Sequence, residues 1–227
     1  MEKEQNKENM KSRDRLISLL NWDSRIDSRN LQVEVSKNGV AQLSGFVSSY
    51  PARQAAESNA WTIPNVCAVE NLISIRYSEN GALFSDEEIY SNLTNTFLWN
   101  PNIHLLNLRM RVKKGCVVLE GTVDSYWKKL LVETVAYDIA GVVCVENEVS
   151  VVPAHTFTDR AIREAITGNL QFHPEIEITE INIHVENGTV SMTGQVPTWR
   201  AYQDIIKAVG HTSGVKEIHN NLLIKRI

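Results

Sequence analysis

The pentapeptide Leu119-Glu120-Gly121-Thr122-Val123 returns in two close variants, Leu43-Ser44-Gly45-Phe46-Val47 before it and Met192-Thr193-Gly194-Gln195-Val196 after it. Each carries a glycine inside what is otherwise a β-strand pattern, where glycine loses backbone entropy and packs no side chain. The intervals are 76 residues (45 to 121) and 73 residues (121 to 194). A period of that length divides the 227-residue chain into three copies of one small unit, which length alone does not fix.

Aligned on this glycine, the copies share a helix and a strand downstream. Five residues on stand Tyr50, Tyr126 and Trp199. Then come Ala56, Ala60 and Ile63; Val132, Ala136 and Ile139; and Ile205, Val209 and Thr212, at the four-then-three spacing of one helix face. A final strand follows in Val66, Val69, Asn71, Ile73 and Ile75, matched by Val142, Val145, Asn147, Val149 and Val151 and by Val215, Ile218, Asn220, Leu222 and Ile224. Upstream, Gly39, Gly115 and Gly188 each lie six residues before the strand glycine and mark the bend of a hairpin, where glycine supplies positive φ. Its first strand alternates through Leu31, Val33 and Val35; Leu108, Met110 and Val112; or Ile181, Ile183 and Val185.

A helical pattern opens each copy. In the second, Phe84-Ser85-Asp86-Glu87-Glu88-Ile89 reads as a capping box with a hydrophobic staple, continuing through Leu93 and Phe97. The third begins Phe157-Thr158-Asp159 and uses Ile162, Ile166 and Leu170; the first uses Leu16 and Leu20 after a more polar start. The helices stop at Trp22-Asp23-Ser24-Arg25-Ile26, Trp99-Asn100-Pro101-Asn102-Ile103 and Phe172-His173-Pro174-Glu175-Ile176, the last two at a proline. The unit is helix, strand, strand, helix, strand. Short connections at Tyr77 to Leu83 and Pro153 to Thr156 predict domains packed close together, since units this small are marginal alone.

This order, with Gly-x(5)-Gly-x-Val in each hairpin and Val66-x-x-Val69-x-Asn71, Val142-x-x-Val145-x-Asn147 and Val215-x-x-Ile218-x-Asn220 after it, resembles the BON domain (bacterial OsmY and nodulation) in three tandem copies. The expected fold is α+β: three tandem αββαβ domains at 1–78, 79–153 and 154–227, each a three-stranded mixed sheet packed on two helices. The resemblance implies a non-enzymatic protein that binds phospholipid surfaces in envelope or osmotic-stress maintenance. The alternative is a protein-interaction scaffold, or a small-ligand or ion sensor, using a composite groove between the domains.

Net charge of -4 gives no global attraction for nucleic acid, and the aromatic strand motif of RNA-binding sheets is missing. The charged start Met-Glu-Lys-Glu-Gln-Asn and the lack of a long apolar run predict neither export signal nor transmembrane span. The expected location is the cytoplasm, peripheral to a membrane, with the periplasm following only if an export segment has been removed. Cys67, Cys116 and Cys144 are expected to be thiols in a reducing compartment. The six histidines show no metal-ligand spacing, no phosphate-cradling glycine loop occurs, and Asp86, Glu87 and Glu88 suit a helix dipole, so no catalytic residue, metal or cofactor is expected.

Comparison of the copies separates scaffold from site. Trp22, Trp99 and Phe172 recur, as do Tyr50, Tyr126 and Trp199, and are expected to pack in the core or at helix ends. Asn71, Asn147 and Asn220 are expected to satisfy neighbouring backbone. The position after the recurrent aromatic holds Pro51, Trp127 and Arg200, a mixture that predicts a solvent-facing site. Tyr126-Trp127-Lys128-Lys129 is therefore a candidate patch for anionic lipid, with packing on a neighbouring domain the other reading. Arg109, Arg111 and Lys113 share the outer face of a strand, as a second anion-binding candidate or a solvated sheet face. Residues 80–153 carry 6 Lys+Arg against 9 Asp+Glu, so any anion site there must be local. Gly45, Gly121 and Gly194 leave a gap in an apolar row, predicting that the second helix or its first aromatic crosses the sheet there.

Overall fold

A computed structural model describes residues 2–76, 84–172 and 180–225, with side chains from residue 9 onward. The expected connection at 77–83 and positions 173–176 of the third helix stop lie outside the described residues.

Each unit has the order anticipated. The first comprises α1 (Glu2–Trp22), β1 (Leu31–Val35), β2 (Val40–Val47), α2 (Tyr50–Trp61) and β3 (Ala68–Ile75). The second comprises α3 (Asp86–Trp99), β4 (Leu108–Lys113), β5 (Cys116–Val123), α4 (Tyr126–Tyr137) and β6 (Cys144–Val151). The third comprises α5 (Asp159–Leu170), β7 (Ile181–Glu186), β8 (Thr189–Val196), α6 (Trp199–Gly210) and β9 (Glu217–Ile224). In every sheet the hairpin strands are antiparallel and the last strand joins in parallel beside the second, so the sheets are mixed. The parallel pairing requires a crossover, which α2, α4 and α6 supply.

Each unit has its own core. In the second, Ile89, Leu93 and Phe97 of α3 and Val132 and Ala136 of α4 close over Val117, Leu119 and Val149 of the sheet. The capping box at Ser85 and Glu88 forms as expected. The side chain of Asp86 also reaches across to the hairpin, accepting from the backbone N–H groups of Lys114 (2.8 Å) and Gly115 (2.9 Å), and Asp159 does the same for Asn187 and Gly188 (both 2.9 Å). Those N–H donors hold both carboxyls below the usual carboxylate range. The repeated asparagines clip the last strand to the helix. Asn147 Oδ1 accepts from Val149 N–H at 3.2 Å, while its Nδ2 donates to Lys129 O at 2.9 Å and Glu133 at 3.0 Å.

Two expectations need correction. Gly121 indeed leaves no room for a Cβ, but the obstruction is not the second helix. An added Cβ would stand 2.1 Å from the carbonyl oxygen of Asn107, at the 3-10 turn that feeds β4, and Gly121 has φ +122°. Gly45 and Gly194 meet Asn30 and Glu180 in the same way. The cysteines are the second correction: Cys116 and Cys144 form a disulfide, and Cys67 is free. Parallel pairing of β5 with β6 makes the two residues direct partners with Cα atoms 4.6 Å apart, so strand register brings together residues 28 apart in sequence.

Candidate functional site: the helix cycle and its exposed aromatics

The second helices of the three units meet head to tail. Tyr50, at the start of α2, stacks on Tyr137, at the end of α4, with centroids 3.5 Å apart. Trp199, at the start of α6, stacks on Trp61, at the end of α2, at 4.2 Å. Tyr126, at the start of α4, lies against Gly210, at the end of α6, its Cδ1 3.5 Å from where a Cβ would stand. Tyr50, Tyr126 and Trp199 are the first residues of their helices, and Trp61, Tyr137 and Gly210 the last. The same end-to-end contact therefore occurs three times and closes a cycle: α2 on α4, α4 on α6, α6 on α2.

The recurrent aromatics expected in a core or at a helix end thus join the domains. Burial between units raises the phenol pKa values of Tyr50 and Tyr126, with Tyr137 and Glu133 respectively adding to the effect. Trp127 is half-buried rather than solvent-facing, because its ring lies parallel to that of His211 of the third unit, 6.1 Å between centroids. Pro51 and Arg200 are exposed as expected, so the copies differ in what this position does. Lys128 is only 15% exposed; it bonds Asp124 at 2.6 Å and lies 5.7 Å from the centre of the Trp127 ring. Its ammonium holds the Asp124 carboxyl below the usual range, with help from Ser125. Lys129 is half-buried on the same turn. Tyr126 and Trp127 thus face the third unit, whereas Lys128 bonds within its own unit.

Arg109, Arg111 and Lys113 are exposed on the outer face of β4. Arg111 is paired with Glu120 on β5, and Glu146 and Glu148 line the same outer face on β6. Three cations among three carboxylates make a solvated, balanced sheet face with little net field for an anion. Two clefts between units stand out among the described residues. One, of about 420 Å³ between the first and third, includes Trp61, Cys67 and Trp199, and the Trp61 Nε1 has no hydrogen-bond partner among the described residues. The other, between the second and third, is lined by Tyr126, Trp127, Tyr202 and His211. Among the described residues there is no cluster of side chains able to hold a metal ion, and no helix long and apolar enough to cross a membrane.

The apolar surface lies elsewhere. Trp22, Trp99 and Phe172, expected to be packed, are 88%, 85% and 85% exposed. Each stands two residues beyond the last buried position: Leu16 and Leu20, Leu93 and Phe97, and Ile166 and Leu170 complete the buried faces, and the next aromatic leaves the helix end outward. In the second unit Leu98 (65%) and Leu106 (102%) are exposed as well, on the end of α3 and on the 3-10 turn packed beside it. Sequence periodicity signalled an apolar helix end but not on which side of the boundary the ring would fall.

Comparison with known proteins places this architecture. The profile of the BON domain matches residues 12–77, 85–153 and 158–226. A protein of Anaplasma centrale described as "Uncharacterized protein in gshII 5'region" is 28% identical over 124 residues, covering 52% of this chain and 82% of that one. Among solved structures, the C-terminal domain of CdsD, a structural protein of the type III secretion system of Chlamydia trachomatis, is 12% identical with a TM-score of 0.26, covering 93% of this chain and 95% of that one. The periplasmic domain of the inner membrane protein PrgH from S. typhimurium is 10% identical with a TM-score of 0.21, over 86% of this chain and 93% of that one. At such scores no functional parallel follows.

Proposed function

The chain belongs to the BON domain family, with three copies in tandem, and from that premise we propose that it is a non-enzymatic protein that associates peripherally with phospholipid surfaces. The observation that carries this reading is the exposure of Leu98, Trp99 and Leu106 on the second unit. An indole ring flanked by aliphatic side chains suits the water-lipid boundary, where its apolar body is buried and its N–H stays near the headgroups. Attraction to anionic lipid is secondary in this account, because the basic side chains of the second unit are paired or balanced. The role in envelope or osmotic-stress maintenance that the family resemblance implies accords with surface binding. The Cys116–Cys144 disulfide favours an oxidising compartment over the cytoplasm.

Flotation with phosphatidylcholine vesicles, with and without about 30% phosphatidylglycerol, tests the reading. Leu98→Ser/Trp99→Ser/Leu106→Ser is expected to weaken binding at least about tenfold, the loss of roughly 1.4 kcal/mol or more of apolar burial. Trp127→Ala is expected to leave it nearly unchanged. Raising salt from about 0.05 to about 0.5 M should alter binding less than about threefold, because aromatic insertion is not screened as surface charge is. Failure of the unaltered protein to float would overturn the lipid reading and turn attention to a small ligand in the cleft beside Trp61.

A further inference from the structure

Trp22, Trp99 and Phe172 occupy one repeat position, and burial does not account for their recurrence. In tandem copies a recurring large apolar residue is ordinarily one the scaffold packs; these three are among the most exposed side chains described. A neighbouring surface position differs between copies: where the second unit has Leu106, the first has Arg29. Repacking of the core cannot explain why only the exposed aromatic is kept.

The helix cycle gives these positions a spatial relation. Each unit meets the next through the same helix ends, and three such steps return to the first unit. A heterologous contact that closes after three steps describes a threefold rotation, here an approximate one within a single chain. Under such a rotation equivalent residues lie in one plane at the corners of a triangle, and their side chains make the same angle with the axis.

We infer that the three-unit cycle presents Trp22, Trp99 and Phe172 as a three-point footprint that seats on one flat phospholipid surface. The inference rests on the lipid reading above and extends it from one unit to all three. A bilayer fits such a footprint because it offers the same boundary to every corner, whereas a globular protein partner would need three separate pockets at matching spacing. Trp22 is followed by the short polar Asp23 and Ser24, whereas Trp99 stands beside exposed Leu98 and Leu106, which enlarge its corner. Each insertion brings the other two rings to the surface at high effective concentration, so losing one corner costs more than its share of contact area.

The test is vesicle flotation of the full chain carrying Trp22→Ser, Phe172→Ser, or both, beside the Leu98→Ser/Trp99→Ser/Leu106→Ser variant. All these side chains are exposed, and circular dichroism checks that the fold persists. Each single substitution is expected to weaken binding about three- to tenfold, and the Trp22→Ser/Phe172→Ser pair more than about thirtyfold although the patch on the second unit is intact. Unaltered binding by that pair, with binding lost by the second-unit variant, would overturn the three-point footprint while leaving the lipid reading in place. Unaltered binding by every variant would overturn both.

Discussion

Replacing Gly121 with valine is expected to unfold the second unit or leave it barely folded. Two costs coincide. A β-branched residue at φ +122° sits in a region that L side chains rarely adopt, and its Cβ would lie 2.1 Å from the Asn107 carbonyl oxygen and 3.1 Å from Leu108 Cα. Both obstacles are backbone, so no rotamer change relieves them and β4 must move away from β5. Together they should cost roughly 3–5 kcal/mol, a large part of what a domain of this size has. Gly121→Ala should fail almost as badly, because the clash begins at Cβ. Gly168, inside α5 with nothing within 4 Å of a Cβ, is the contrasting site, and Gly168→Ala should stabilise by up to about 1 kcal/mol. Calorimetry of the three variants decides the matter; a Gly121→Val protein melting like the unaltered one would show that the close approach to Asn107 does not exist in solution.

Loss of the disulfide is expected to have the next largest effect. Cys116 and Cys144 close a loop with a sequence separation of 28 that contains β5, the crossover helix α4 and the start of β6. Cross-linking over that span removes unfolded-state entropy worth roughly 3–4 kcal/mol. The first and third units hold the equivalent strand positions with Val40 opposite Ala68 and Thr189 opposite Glu217, so only the second gains this restraint. Under reducing conditions, or in Cys116→Ser/Cys144→Ser, the second unit should melt more than about 10 °C lower. An unchanged melting profile with and without reductant would show that the two thiols are not bonded in the native protein.

The architecture was legible because it repeats. Periods of two and of 3.6 residues, read three times over, gave the order of helices and strands, the hairpin bends at Gly39, Gly115 and Gly188, and the clip made by Asn71, Asn147 and Asn220. What the sequence could not show was the destination of side chains at element boundaries. Tyr50, Tyr126 and Trp199 have the same spacing whether they pack on their own sheet or on a neighbour's helix end. Trp22, Trp99 and Phe172 stand two residues past the last buried position, about 200° around a helix from it, and at a helix end the sequence does not show whether the helical turn continues that far. Trp127 shows the converse: the variety of its counterparts pointed outward, but the end of α6 in the third unit brings His211 alongside its ring. The disulfide was hidden by the need to know the parallel register of β5 on β6, and the obstruction at Gly121 by the fact that a backbone carbonyl has no sequence signature.

The closed cycle of three units is the claim on which the surface reading most depends, and distances between its corners test it directly. Spin labels placed pairwise at positions 22, 99 and 172, in a Cys67→Ser background with the disulfide intact, give three distances by double electron-electron resonance. The cycle predicts three single-peaked distributions with similar means, because each pair spans one edge of the same triangle. A 22–172 distance close to the sum of the other two would mean that the units lie in a line, and would contradict it.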